Sequence, residues 1–194
     1  MCTNEEMQSK EAVSGSAEAQ YRLGEYYSDE GTEAYDLKKA FKCYYKAAIQ
    51  GHPEAMYAVG LFYYQGWAVG YDLIEAENWY RRAAEKGLAK AEWGMEHVLF
   101  DYLVAEHNRI RGRCNARTKY LNKEMLYWRN KAAKHGNPNA LYELGLNYIE
   151  GIGVKQDERT GLKLIIKAAD MGCEEAIAGL SEIYYRCLRK KYNL

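Results

Sequence analysis

An all-α fold of stacked helix hairpins is predicted by this 194-residue chain from three regularities in its small residues. Ala19, Ala55 and Ala91 are spaced by 36, as are Ala140 and Ala176, while Ala91 and Ala140 are spaced by 49. Gly51, Gly87, Gly136 and Gly172 follow the same 36, 49, 36. So do the pairs Ala47/Ala48, Ala83/Ala84, Ala132/Ala133 and Ala168/Ala169. A fixed period between about 20 and 50 residues marks a repeat protein whose units stack, and such stacks usually hold other molecules. The expected units are 16–51, 52–87, 88–136, 137–172 and a terminal 173–194. Residues 1–15 are expected to form an N-terminal cap or partial helix, because Ala12 and Gly15 precede Ala48 and Gly51 by one period.

The unit 52–87 shows why each element forms. Pro53 suits the first turn of a helix, where its missing N–H has no partner to lose, and Pro138 opens the same helix two units later. Ala55, Val59, Phe62 and Tyr63 follow at helical spacing as one apolar stripe, and Gly66 and Gly70 end it. Asp72, with Glu75 three residues on, announces a second helix in a capping-box-like arrangement; Asp36 and Asp157 share its phase. Ala76, Trp79, Tyr80 and Ala83 form the inward face of this helix, and Gly87 ends it in the left-handed conformation. Gly24, Gly60 and Gly145 are expected to let paired helices approach closely, so that larger side chains there cost about 1–3 kcal/mol.

Two units depart from the pattern. The third, 88–136, has Glu96 in the glycine phase, and its longer spacing is expected to place an insertion, about 104–123, between its helices. The fifth begins at Cys173, puts Ser181 in the glycine phase and is expected to be a C-terminal cap ending in Arg186, Arg189, Lys190 and Lys191, cations suited to a helix carboxyl end.

Lys plus Arg and Asp plus Glu number 27 each, so no overall field draws the chain to nucleic acid or an anionic membrane. No run of about 18 apolar residues and no export signal follows the polar amino terminus, which predicts a soluble, cytoplasmic protein. The five cysteines, Cys2, Cys43, Cys114, Cys173 and Cys187, are irregularly spaced without a C-x-x-C pair, pointing to reduced thiols and no structural zinc. His52 and His135 fall at unit junctions, and no nucleophile has an evident base, so neither catalytic residues nor a cofactor or metal is expected.

The segments AEAQYRLGEYY, PEAMYAVGLFYYQG, KAFKCYYKAAIQG, AENWYRRAAEKG and NALYELGLNYIEGIGVKQD resemble the Sel-one-like repeat, a relative of the tetratricopeptide repeat, over residues 16–188. The resemblance implies a right-handed α-α superhelix, a solenoid of four to five helix-hairpin repeats, with the first helix of each pair lining a concave face. Some cysteine-rich relatives are described as penicillin-binding or β-lactamase-like, which keeps an enzyme as an alternative; those carry two bridging cysteines per unit, a pattern missing here.

Each first helix carries a second stripe opposite the buried one: Tyr21; then Tyr57, Leu61 and Tyr64; then Trp93, His97 and Phe100; then Tyr142 and Leu146; then Tyr185. A helix apolar on two sides is either packed between neighbours or offers a surface. By resemblance these positions face the concave side, where they are the candidate site for a peptide or helix. A second candidate is the basic patch Arg109, Arg111, Arg113, Arg117, Lys119 and Lys123, with a local charge of +6 and no acid between His107 and Lys123. It is expected to be a solvated loop or a site for an acidic partner; nucleic acid or anionic lipid remains the alternative, disfavoured because Tyr120 is its one aromatic residue. The expected function is a non-enzymatic, bacterial-type scaffold or adaptor binding a protein or peptide, with delivery into another cell as an effector left open.

Overall fold

The computed structural model describes residues 15–110 and 114–181, and these are helical without a strand. The helices are α1 (Ala17–Ser28), α2 (Leu37–Ile49), α3 (Pro53–Gln65), α4 (Leu73–Glu85), α5 (Ala89–Arg109), α6 (Ala116–Lys134), α7 (Pro138–Glu150) and α8 (Glu158–Asp170). A further helix covers 174–181. The chain divides into two compact units, Met1–Val98 and Leu99–Leu194, with the boundary inside α5. The expected cap helix at 4–14 and the basic tail beyond 181 lie outside the described residues.

The first unit is built from the hairpins α1/α2 and α3/α4, with α2 packed on α3; in the second, α6 packs on α7 and α7 pairs with α8. The helix starts are as the sequence implies. Asp36, Asp72 and Asp157 each accept backbone N–H bonds from the first turn of the following helix. Their own N–H groups donate to the carbonyls of Tyr27, Tyr63 and Tyr148, which closes each hairpin at its loop. Pro53 and Pro138 occupy first turns, capped by the His52 ring and the Asn137 side chain. At the other end of the hairpins, Gly51, Gly87, Gly136 and Gly172 have φ between 83° and 95°, where a Cβ is strained, and the residue after each donates back to an alanine carbonyl of the last turn.

The core forms from the predicted stripes: Ala55, Val59, Phe62, Ala76, Trp79, Tyr80 and Ala83 are all buried. Phe41 joins the hairpins, its ring 5.7 Å from both Phe62 and Tyr63. The close approaches occur where small residues predict them. A Cβ on Gly60 would stand 2.7 Å from the Tyr80 ring, and one on Gly24 would stand 2.6 Å from Tyr44. On Gly145 it would meet Ile165 at 2.6 Å. Gly94, which the periodicity does not mark, lies on Tyr80 as well, with a Cβ placed 3.1 Å from the ring.

The expected insertion between the helices of the third repeat is corrected. Residues 104–109 and 116–123 are helical, so the longer spacing is taken up by helices of 21 and 19 residues in place of the usual 12 or 13. The first of these helices ends at Arg109 and the second begins at Ala116. Residues 104–109 and 116–123 contain neither proline nor glycine, so the helical pattern meets no breaker in them.

One loop stores strain. Ala68, between Gly66 and Gly70, has φ 57°, while Gly153 occupies the matching position of the later repeat at φ 71°. An L-residue with a Cβ pays about 1–2 kcal/mol for this conformation. Ala68→Gly is therefore expected to raise the unfolding free energy by about 1 kcal/mol in urea titrations, and an unchanged midpoint refutes stored strain there. Gly60→Ala is expected to lower it by about 1–3 kcal/mol, because the added methyl must displace a ring already packed on both sides; a loss below about 0.5 kcal/mol shows that the ring yields freely.

Candidate functional site

The second stripe of the first helices is wedged into its surroundings more than it is displayed. Tyr21, Tyr57, Leu61, Tyr64, Trp93, Tyr142 and Leu146 are half-buried, whereas His97 and Phe100 are exposed. Tyr21 stacks on the His52 ring at 4.6 Å, and Tyr57 on Tyr80 at 5.4 Å. Trp93 meets His97 edge-on at 5.0 Å. A Cβ built on Gly179 would lie 3.1 Å from Tyr142, so that tyrosine packs against the helix at 174–181. Burial pushes the Tyr21, Tyr57 and Tyr80 phenols up from their ordinary value, keeping them neutral. Tyr185 lies outside the described residues.

Two clefts occupy equivalent joints of the repeat, and the sequence pattern did not reveal either. In the first unit a cavity of about 290 Å³ opens between the hairpins. Buried Tyr44 and Phe62 make its floor, their rings 5.9 Å apart, and half-exposed Trp67 stands edge-on to Phe62 at 5.8 Å. Leu61 of the second stripe contributes a wall, and Glu30 and Tyr35 the rim. In the second unit a cavity of about 330 Å³ is lined by Asn122, Arg129, Asn147 and Ile152, the repeat counterparts of Leu37, Tyr44, Phe62 and Trp67. Its chemistry is inverted: Arg129 donates to the Asn147 side-chain oxygen at 3.0 Å where the first cleft has aromatic rings. The legible signals were Trp67 set between glycines and the acids Asp29, Glu30 and Glu33 in one short loop.

The basic patch is not the free loop that its composition suggests. Arg109 donates to the Glu106 carboxylate twice, at 2.9 and 2.6 Å, and the Asn115 amide donates to the same group at 2.6 Å. Asn115 in turn caps α6 in a capping box with Thr118. Glu106, whose role the sequence did not disclose, thus ties the end of α5 to the start of α6. Arg117, Lys119 and Lys123 are exposed, and Arg111 and Arg113 lie outside the described residues. Cys43, Cys114 and Cys173 are free thiols, so the bridging pairs of cysteine-rich relatives are absent among the described residues.

Helical hairpins closed by capped loops, repeating with the same caps and the same glycine contacts, define an all-α repeat protein. The chain belongs to the Sel1 repeat family, whose model matches residues 17–52, 53–88 and 138–173, more than half of its length. Such repeats typically mediate protein interactions. The structure of a protective antigen from uropathogenic Escherichia coli with the SLR fold is similar, at 30% identity and a TM-score of 0.76 over 95% of this chain. A Sel1 repeat protein from Oxalobacter formigenes is similar at 32% identity and a TM-score of 0.72 over 91%. An immunity protein of Pseudomonas aeruginosa is similar at 26% identity and a TM-score of 0.58 over 87%. The chain spans only 37%, 65% and 58% of these relatives' lengths. Among the described residues no helix is long and apolar enough to cross a membrane.

The hydrogen bonds from Arg109 and Asn115 hold the Glu106 carboxyl at about 2, below its ordinary value of 4.5. A depressed carboxyl contributes stability above the unfolded value and loses it as pH falls through the folded one. Protection of the backbone amides at residues 106–110 and 114–118, taken relative to their pH-dependent intrinsic exchange, is accordingly expected to fall between about pH 4.5 and 2. Glu106→Gln should remove that dependence, and a pH profile shared by the variant and the parent refutes the clasp.

Proposed function

We propose that the chain is a non-catalytic adaptor that binds a peptide or protein segment along the second stripe of its first helices. One observation carries this reading: the stripe's rings keep part of their surface open while stacking fixes their orientation, Tyr21 on His52 and Tyr57 on Tyr80. An aromatic side chain already held in place loses little freedom when a partner covers it, which is the property of interface anchors. Half-burial between repeats is compatible with this role, since the same ring packs on its inner face and remains available on its outer one. The family's usual work supports binding over catalysis, and the likeness to immunity proteins of Pseudomonas aeruginosa, at 26% and 28% identity, points the same way because neither description is that of a catalyst.

The test is affinity capture from source cells with the parent protein and with a Trp93→Ala, Tyr142→Ala double variant, alongside thermal melts of both. The expected result is loss of the captured partners with a melting temperature that stays cooperative. If the double variant retains every partner, or unfolds while binding nothing different, the rings serve packing alone and the reading fails.

A further inference from the structure

The cleft of the first unit has a more specific chemistry than its surroundings, and it lies beside the proposed stripe, with which it shares Leu61. Its side-chain oxygens, the Ser28, Tyr35 and Tyr44 hydroxyls and the Glu30 carboxylate, all have lone pairs that can accept hydrogen bonds. Ser28 Oγ lies 3.0 Å from the Glu25 carbonyl and 2.8 Å from Tyr44 Oη. Either hydroxyl of that pair can donate, and in both cases the Tyr44 oxygen keeps a lone pair able to accept. The Tyr35 hydroxyl donates to Glu30 Oε1 at 3.5 Å, which steadies a carboxylate on the rim. Around these acceptors stand the rings of Tyr44, Phe62, Trp67 and Tyr35, and the loop that carries Glu30 also carries Asp29 and Glu33 with no cation among them.

Rings and a carboxylate around one small cavity favour a cation. A planar guanidinium suits it better than an ammonium, since it stacks on a ring face while its edge donates to several acceptors at once. We propose that this cleft receives the side chain of an arginine presented by the bound peptide. The proposal rests on the partner-binding reading above and adds to it the residue type that the partner must offer. Trp67 is the wall best placed to select it: the Trp67 ring is held at 90° to Phe62, and the next residue is Ala68 with its left-handed φ of 57°.

The second unit supplies an internal contrast. Its equivalent cleft replaces Tyr44 by Arg129 and Phe62 by Asn147, so an arginine side chain should be excluded there.

The experiment uses the full chain, isotopically labelled, titrated with the peptide acetyl-Ala-Arg-Ala-amide and with its Gln and Lys counterparts. The arginine peptide is expected to shift amide signals of residues 28–37 and the Trp67 indole, to leave 122–129 and 147–153 unmoved, and to bind more tightly than the other two. Glu30→Gln and Trp67→Leu are each expected to weaken it roughly three- to tenfold, the range of one exposed ion pair or one cation–π contact. Both changes lie at the rim and keep the floor intact, so spectra of the free variants report whether the fold is preserved. Equal binding of the Gln peptide, equal or tighter binding of the Lys peptide, or unchanged affinity in folded Glu30→Gln overturns the proposal. Capture by the stripe does not depend on this result: partners lost from the Trp93, Tyr142 double variant, together with no preference for arginine, leave the adaptor reading standing and remove only the cleft.

Discussion

The fit of a glycine beneath an aromatic or branched side chain is the contact on which the rest depends. Where Gly60 lies against Tyr80 and Gly24 against Tyr44, two helices come closer than any residue with a Cβ permits. That separation sets where the other groups fall. Tyr57 stacks on the same Tyr80 ring that Gly60 underlies. Tyr44, which Gly24 underlies in the same way, becomes the floor of the first cleft, so a packing residue also serves the cavity. The hairpin loops follow, because the Asp36 and Asp72 N–H groups can reach the carbonyls of Tyr27 and Tyr63 only when the paired helices run this close.

Most of the architecture was legible because it rests on residues that permit few alternatives. Proline at a helix start, aspartate before one and glycine after one each report a local backbone geometry, and here they recur in phase. The third repeat was harder to read. Its charge run suggested a loop, but the exposed sides of two long helices can carry the same cations, and the interaction that orders the connection joins Glu106 to groups three and nine residues away. A lone carboxylate has no periodicity to betray it. Gly94 escaped notice for a related reason: it is outside the glycine phase, and its purpose is visible only with the Tyr80 ring in place.

The candidate site was legible in part. Helical spacing picked out Tyr21, Tyr57 and Tyr142, but spacing says nothing about which ring face is covered, and that depends on His52, Tyr80 and Gly179, which come from a helix cap and from other helices. The clefts are further from sequence still. Each is assembled from helices and a loop well apart along the chain, and its character depends on single substitutions, Tyr44 against Arg129 and Phe62 against Asn147, at positions that the repeat leaves variable.

That variability has a consequence for how such a chain changes over time. The residues that fix helix separation and those that colour the joints are largely different sets, and only a few, such as Tyr44, belong to both. Replacing half-exposed Trp67 would change the lining of a joint while leaving the glycines beneath Tyr44 and Tyr80 untouched. The scaffold thus behaves like a printed form with blank fields, in which new partners are acquired by filling in the spaces while the ruled lines stay where they are.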